Sequence, residues 1–385
     1  MRSPYQGYNR REDGREPVRV ASSVSKTRIA VAGAGLIGTA HMKAAQGSPT
    51  CVLSAVVDPS PAAVAIAAAA NVPLYRSLAD LFAADKPDGV VLATPNPLHV
   101  TQGLECIAAG VPQLLEKPIA STVAEGEQLV RKVDETAARA RATGDKTAAR
   151  GARVLIGHHR AHSPIMAKAK AVVDSGMLGQ LVAINGTAMF YKPDTYFDQG
   201  PWRRQPGGGP ILINMIHEVH NLRMLAGEIV AVQAFASNAT RGFPVEDTVA
   251  MNLRFASGAL GTFMLSDTAA SARSWEQTSQ ENQSYPSYDD EDCYVVVGTF
   301  GSLGIPTMRL KTYARADDRS WWKPFDVGVA DIARDDPIQL QMEHFGAVIR
   351  GEAQPAVTAR DGLQNLKVTE AIAQATKTGA SVAIT

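Results

Sequence analysis

The sequence predicts a two-domain chain of the α/β class, in which a parallel-sheet domain precedes an α+β domain with a largely antiparallel sheet. Short apolar runs alternate with helix-like segments as far as about residue 158, a rhythm typical of βαβ units. After residue 160 the apolar runs are longer and turn residues separate them. The length of 385 residues also fits two domains, at roughly 150 residues per domain.

The composition excludes several functional classes. Lys plus Arg number 38, as do Asp plus Glu, and this zero net charge argues against a nucleic-acid or membrane-surface partner. No apolar run approaches the ~18 residues of a membrane span. The three cysteines (Cys51, Cys106 and Cys293) lack ligand-like spacing. We therefore expect neither a disulfide framework nor a zinc site. We also expect the protein to be located in the reducing environment of the cytoplasm.

The first 26 residues differ in character from the rest of the chain. They contain five Arg and one Lys among few large apolar residues. They also lack the apolar stretch of a secretory signal. We expect residues 1–26 to form a disordered, mildly basic tail.

The first domain is predicted to span residues 27–158. Its strands are short apolar runs, and glycines or polar turns separate them from the helices. The predicted strands are Arg28–Ala32, Val52–Val57, Gly89–Ala93, Gln113–Leu115 and Arg153–Gly157. Of the predicted helices, one ends at about Gln46, one spans Pro61–Ala70, one ends at Gly110 and one begins at about Thr122. The polar stretch Ala138–Ala152 contains Gly144 and Gly151, which favours a surface loop.

The second domain is predicted to span residues 159–385. Partial alternation and the hairpin-type turn Ser257-Gly258 indicate antiparallel strands. The predicted strands are Leu181–Phe190, Ile229–Ala236, Thr248–Phe255, Ala259–Ser266 and Tyr294–Gly298, and the predicted helices are Pro164–Ser175, about Ile211–Ala226, about Ile338–Arg350 and Gly362–Thr378. The long polar stretch Ser271–Asp292 is typical of a functional segment, and we expect a lid or an oligomer contact.

A glycine motif marks the first functional site. Gly33-Ala-Gly35-Leu36-Ile37-Gly38 follows the first strand and opens a helix, the context of a dinucleotide-binding Rossmann domain. The glycines allow a tight turn and a close approach of the pyrophosphate to the helix N-terminus. Asp58 follows twenty residues after Gly38, and a carboxylate there favours NAD over NADP without excluding NADP.

These motifs, with Thr94-Pro95-Asn96, His99 and Glu116-Lys117-Pro118 in that order, make the chain similar to the Gfo/Idh/MocA oxidoreductases. The resemblance extends through Gly207-Gly-Gly209 and His217 and covers about residues 27–381. It implies a second domain whose open sheet forms an oligomer interface, in a homodimer or homotetramer. It also implies that Thr94, Pro95, Asn96, His99 and Glu116 lie near the dinucleotide and Lys117 at the nicotinamide. The Lys117–Pro118 bond is a candidate for the cis form.

The resemblance and the residue chemistry together suggest an acid/base pair. A lysine beside a cationic ring should have a lowered pKa, which suits Lys117 to proton exchange with a substrate hydroxyl. Many relatives carry Asp four residues before the matching histidine, whereas Ile213 stands there in this chain and Asn214 follows it. Our hypothesis makes Lys117 the main acid/base group, with His217 sharing the proton and Asn214 orienting the substrate.

The expected substrate is a secondary alcohol of a sugar, cyclitol or related polyol, oxidised with NAD. The segment 191–204 supplies Tyr191, Trp202 and Arg203, and such aromatic and basic groups suit a polar ring. No metal is expected, because His217 and His220 have no evident third ligand.

Three alternatives remain open. The same chemistry could act on a carboxylated cyclic cis-dihydrodiol, with Lys192, Arg203 or Arg160 binding the carboxylate. The chain could be a non-catalytic NAD(P)-binding regulator of the same fold, although Lys117 and His217 argue against this. It could also be a redox-cycling enzyme that retains its nucleotide.

Overall fold

The computed structural model describes residues 25–385, which contain a six-stranded and a nine-stranded sheet. The predicted tail, residues 1–26, lies outside the described residues except for Ser25 and Lys26. Within residues 25–385, no helix is both long enough and apolar enough to cross a membrane.

The six-stranded sheet belongs to the first half of the chain. Its elements are β1 (Thr27–Ala32), α1 (Leu36–Gly47), β2 (Cys51–Val57), α2 (Ala62–Ala69), β3 (Leu74–Tyr75), α3 (Leu78–Ala84), β4 (Gly89–Leu92), α4 (His99–Ala109), β5 (Gln113–Glu116), α5 (Val123–Thr143), α6 (Lys146–Gly151) and β6 (Val154–Gly157). All its strands are parallel, in the order β3-β2-β1-β4-β5-β6. This confirms the predicted parallel α/β domain. The strand order reverses between β1 and β4, and ligands bind at such a switch point.

The prediction of a surface loop over Ala138–Ala152 is wrong, because the chain is helical over most of this stretch. Helix α5 continues to Thr143 and ends at Gly144, which adopts φ +68°. The Asp145 side chain then accepts two backbone hydrogen bonds and starts α6. Gly144 is thus a helix C-cap, where glycine is favoured, and the polar residues form the outer faces of two helices.

The nine-stranded sheet belongs to the second half. Its elements are α7 (Pro164–Asp174), β7 (Leu181–Met189), α8 (Asp194–Asp198), α9 (Ile216–Ala226), β8 (Ile229–Ser237), β9 (Thr248–Phe255), β10 (Leu260–Ser266), α10 (Trp275–Thr278), β11 (Tyr294–Gly298), β12 (Gly301–Ile305), β13 (Arg309–Thr312), β14 (Asp326–Val329), α11 (Pro337–Arg350), α12 (Ala359–Thr378) and β15 (Val382–Ala383). The order is β14-β13-β12-β11-β7-β10-β9-β8-β15, antiparallel except between β7 and β10. This confirms the predicted, mostly antiparallel sheet.

The predicted helix Ile211–Ala226 begins with a π-helical turn over Ile211–Met215, and α9 follows it. Such turns are rare and are frequently found at functional sites. Asn214, in this turn, and His217, in the first turn of α9, both lie near its N-terminal end. The sequence period did not reveal this irregularity.

Helix α11 returns the chain to the first domain. Its residues Met342, Phe345 and Ile349 belong to the same buried cluster as the first sheet. In the sequence-based division this helix falls within 159–385, yet its apolar face packs on the core of residues 27–158. The two halves are therefore joined by packing as well as by the chain.

Candidate functional site

The turn between β1 and α1 is as tight as the glycine motif predicts. Gly33 has φ +93°, and a Cβ there would lie 2.4 Å from the Ala93 carbonyl oxygen. A Cβ on Gly38 would lie 1.8 Å from the Gly33 carbonyl oxygen. Neither backbone atom can move aside cheaply, so both positions require glycine. The turn is thereby pressed against the end of β4.

The N-terminus of α1 is open for a phosphate group. A Cβ on Gly35 would meet no atom within 4 Å, and no side chain caps the helix. Leu36 is 88% exposed beside this opening, whereas Ile37 packs against the core. Free N–H groups and the positive end of the helix dipole favour an anion here. These residues fit the pyrophosphate of a dinucleotide.

Asp58 follows β2 at the edge of the same opening. Its carboxylate accepts hydrogen bonds from the backbone N–H groups of Ala34 and Ser60, both at 2.8 Å. Burial disfavours the charged form, but the hydrogen bonds from Ser60 and Ala34 outweigh it and lower the pKa of Asp58. The group is therefore an anion at neutral pH, suited to accept hydrogen bonds from ribose hydroxyls and to repel a 2′-phosphate.

Replacing Asp58 is expected to shift the coenzyme preference. In Asp58→Ser the repelling charge is absent, while the guanidinium of Arg76 remains nearby, 3.4 Å from the Pro59 carbonyl oxygen. The ratio of the dissociation constants for NADP and NAD, measured by calorimetry, should fall by about tenfold or more. Asp134→Ser, on the exposed face of α5, is the control. An unchanged ratio in Asp58→Ser would remove Asp58 from coenzyme selection.

A cavity of about 740 Å³ extends from this opening along the carboxyl ends of the strands. Its walls include the predicted coenzyme residues Gly33, Gly35, Asp58, Thr94, Pro95 and Asn96. Trp202 and Leu212 of the second domain also line it. The cavity thus lies between the two halves of the chain, and its position suits an extended dinucleotide.

Two predicted coenzyme residues lie behind this wall. The His99 ring is 1% exposed, and its nitrogens lie 2.9 Å from the Thr94 carbonyl oxygen and 2.7 Å from that of Pro118. The buried Glu116 carboxylate lies 2.7 Å from His41 Nε2. These side chains brace the loops after β4 and β5, and neither lines the cavity.

Lys117 joins the end of β5 to the second domain. Its Nζ donates a hydrogen bond to the Ile213 carbonyl oxygen at 3.2 Å. Burial is the main cause that lowers the pKa of Lys117; Arg160 adds to this effect and Glu116 opposes it. The Lys117–Pro118 peptide bond is cis, as predicted. The amine is thus held at the interdomain cleft in a state that can exchange a proton.

His217 lies in the same region, 9% exposed. Its ring centroid lies 5.1 Å from that of His159 and 5.7 Å from that of His158. Burial, followed by the positive charges of Lys117 and Arg160, holds its pKa well below the ordinary value. Its Nδ1 has no hydrogen-bond partner among residues 25–385. His217 is therefore a neutral imidazole near the Lys117 amine.

A second lysine, which the sequence suggested only as a carboxylate ligand, reaches the same π-helical turn. Lys192 Nζ donates to Asn214 Oδ1 at 2.6 Å. It also lies over the rings of Tyr196 and Phe190, at 4.9 and 5.4 Å from their centroids. Burial lowers the pKa of Lys192 to about 8. The spacing of Lys192 from Asn214 gives no periodic signal of this contact.

The other residues predicted to bind substrate, Tyr191, Trp202 and Arg203, lie in different surroundings. Trp202 is 53% exposed and reaches the coenzyme cavity. The Arg203 guanidinium stacks on Tyr196, 3.9 Å from the ring centroid, and donates to the Tyr196 carbonyl oxygen. The Tyr191 ring lies 5.2 Å from the Arg241 guanidinium. Arg203 therefore contacts its own segment and Tyr191 contacts the connection between β8 and β9, and neither residue lines the coenzyme cavity.

Arg160 stands at the domain junction and is only 3% exposed. It donates to Glu218 at 2.6 Å and to Glu276 at 2.5 Å. The Tyr294 hydroxyl donates to the other Glu218 oxygen. The positive charge of Arg160 is thus already balanced by two carboxylates, and its Nε has no hydrogen-bond partner among residues 25–385. Glu276 belongs to the segment 271–292, which this contact anchors in the interior.

The buried histidines predict an acid-sensitive fold. Burial lowers the pKa of His159 and His220 to about 4 and of His162 to about 3, whereas an unfolded histidine titrates near pH 6.5. Between these values the unfolded chain binds more protons, so stability is fully present above about pH 6.5 and is lost as the pH falls towards 4. The melting temperature, measured by calorimetry, should fall steeply over this range. A flat profile would contradict the burial of neutral histidines, and His162→Gln should make the fall shallower.

Residues 25–385 contain no cluster of three His, Cys, Asp or Glu side chains arranged to hold a metal ion. The described site therefore consists of the coenzyme cavity, the Lys117 amine, the His217 imidazole and the Lys192–Asn214 pair.

Comparison with known proteins gives consistent matches. Residues 27–143 match a family model described as the NAD-binding Rossmann fold of an oxidoreductase family, and residues 166–304 match the GFO/IDH/MocA C-terminal domain. The rhizopine catabolism protein MocA of Rhizobium meliloti is 26% identical over 90% of this chain and 94% of its own length. An inositol 2-dehydrogenase of Rhizobium meliloti (strain 1021) is 25% identical, over 89% and 95%. The WlbA dehydrogenase from Bordetella pertussis, crystallised with NADH and UDP-GlcNAcA, has a TM-score of 0.71 at 23% identity, covering 94% and 99%.

Proposed function

Because the chain belongs to the GFO/IDH/MocA family of NAD-dependent oxidoreductases, we propose that it oxidises a secondary alcohol of a sugar, cyclitol or related polyol. Relatives named inositol 2-dehydrogenase and 1,5-anhydro-D-fructose reductase support this substrate class. The observation that carries the proposal is the buried Lys117 amine, fixed between the coenzyme cavity and the second domain.

In this proposal, oxidation of the alcohol removes a hydride and a proton, and different groups accept them. NAD, when bound, supplies the hydride acceptor. Lys117, whose pKa is lowered by burial, takes the hydroxyl proton as the carbonyl forms. The glycine turn and Asp58 hold the coenzyme, and Trp202 closes one side of its cavity.

His217 assists in this proposal by donating a hydrogen bond from its ring N–H to the substrate oxygen while Lys117 takes the hydroxyl proton, because a neutral imidazole keeps one N–H donor. Ile213 contributes its backbone carbonyl to Lys117 and cannot carry a proton as an aspartate would. The amide of Asn214 is fixed by Lys192 and orients the substrate. The proton relay therefore depends on Lys117 more heavily than in relatives with an aspartate.

A spectrophotometric screen tests the proposal. Sugars, inositols, sugar acids and carboxylated cyclic cis-dihydrodiols would be offered with NAD or NADP, and absorbance at the wavelength of the reduced coenzyme followed. We expect reduction of NAD with at least one cyclic polyol. Tight NAD binding by calorimetry without turnover on any of these compounds would instead favour a non-catalytic regulator.

We also propose a homodimer or homotetramer that forms on the outer face of the nine-stranded sheet. Phe235 on β8 and Met264 on β10 flank Ala250 on β9 in register, and Phe235 and Met264 are 64% and 37% exposed. Light scattering of the wild type should give two or four copies of the chain. The Phe235→Glu/Met264→Glu variant should give a single copy with an unchanged circular-dichroism spectrum. A monomeric wild type would contradict the proposal.

A further inference from the structure

Two buried amines meet at consecutive residues of the π-helical turn. Lys117 Nζ donates to the backbone carbonyl of Ile213 at 3.2 Å. Lys192 Nζ donates to the side-chain oxygen of Asn214 at 2.6 Å. Both acceptors are neutral, so neither hydrogen bond brings a counter-charge to the ammonium group.

The nearby carboxylates are held by arginines. Asp267 accepts from Arg241 Nε at 2.8 Å, and its other oxygen lies 3.9 Å from Lys192 Nζ, beyond hydrogen-bond distance. Glu276 accepts from Arg160. Lys117 forms no ion pair with a carboxylate among residues 25–385. Neither amine therefore has a carboxylate in direct contact.

The three cations that the sequence suggested for a substrate carboxylate differ in the contacts that they already make. Arg160 already pairs with two carboxylates, those of Glu218 and Glu276, and Arg203 is stacked on Tyr196 and bonded to its backbone. The Lys192 side chain is 11% exposed. An ammonium group has three N–H donors, so two remain after the bond to Asn214.

We propose that Lys192 binds a carboxylate of the substrate, so that the substrate is a sugar acid or another carboxylated ring alcohol. This inference rests on the proposed function and names its substrate class. Lys117 comes from the first domain and Lys192 from the segment after β7. The reacting hydroxyl lies at Lys117 and His217, and the carboxylate lies at Lys192. A buried charge needs such a partner, because burial of an unpaired ion is costly.

Matched substrate pairs test the inference. The pairs are glucose with glucuronate and galactose with galacturonate, and in each pair only the acid carries a carboxylate. The value of kcat/KM for NAD reduction would be measured for each compound. The wild type should prefer the acids by about tenfold or more. In Lys192→Met the ratio of acid to neutral sugar should fall by about 10- to 100-fold, the range of a hydrogen bond to a charged group, mainly through KM. Lys192→Arg should retain part of the preference.

Lys170→Met is the control, because Lys170 is an exposed lysine that pairs with Asp174 on α7. Its ratio should equal that of the wild type. Equal use of acids and neutral sugars, or an unchanged ratio in Lys192→Met, would overturn the role of Lys192 and leave the dehydrogenase proposal intact. If none of the four compounds is turned over, the wider substrate screen still decides the dehydrogenase proposal.

A binding measurement decides the inference in that case. Glucuronate or galacturonate should raise the melting temperature of the NAD-saturated protein, and the rise should vanish in Lys192→Met but persist in Lys170→Met. Absence of any rise in the wild type, or an equal rise in Lys192→Met, would overturn the inference.

Discussion

Lys117→Met is expected to reduce kcat by about 10²- to 10⁴-fold, the usual contribution of a general acid/base. Methionine fills a similar volume but has no lone pair to take the hydroxyl proton. Because Lys117 contacts the Ile213 carbonyl and neither the Gly35 opening nor Asp58, the dissociation constant for NAD should change little. The measurement is steady-state kinetics on the best polyol or sugar acid from the substrate screen, with NAD binding followed by calorimetry.

The pH profile gives a second readout of the same role. Burial lowers the pKa of Lys117, so activity in the oxidative direction should rise with pH as the free amine forms, at a pH below the ordinary lysine range. Lys132→Met, on the exposed face of α5, should leave both rate and profile unchanged. Retained turnover in Lys117→Met would exclude it as the proton acceptor.

The coenzyme half of the site could be predicted because its signals are local. The glycines of the β1–α1 turn and the acid after β2 act within a single βαβ unit, and the backbone geometry alone requires Gly33 and Gly38. Periodicity likewise located most strands of both sheets. The loop prediction over 138–152 failed because polarity does not separate a loop from a solvent-facing helix, and the capping by Gly144 and Asp145 decides between them.

The interdomain half could not be predicted, because its contacts join distant parts of the chain. Arg160 meets Glu218 across 58 positions and Glu276 across 116. The pairing of Lys192 with Asn214 depends on a π-helical turn that has no sequence period. The sequence shows that each of these residues is a lysine, an arginine or a glutamate. It does not show which of them form ion pairs, because tertiary packing decides that.

Arg160→Met is expected to destabilise the fold by about 3–5 kcal/mol, the usual cost of removing one partner from a buried ion pair. Glu218 and Glu276, 1% and 26% exposed in their side chains, would lose their shared cation. Among residues 25–385, the Tyr294 hydroxyl would then be the one side-chain donor left to Glu218. The free energy of unfolding in urea and the melting temperature are the measurements. Because Glu276 anchors the segment 271–292, limited proteolysis should also begin within it.

Arg360→Met is the control that distinguishes the effect of burial on stability from the effect of the distance between the paired ions. Arg360 and Asp134 are also 2.6 Å apart, but their side chains are 73% and 43% exposed, and surface pairs contribute at most about 1 kcal/mol. If distance alone determined the strength of an ion pair, the two variants would lose similar stability. A large loss in Arg160→Met alone would mean that the junction is stabilised by charges which water cannot replace. A small loss in both would mean that Glu218 and Glu276 are protonated or hydrated in the folded protein, and the buried network would then not hold the two domains together.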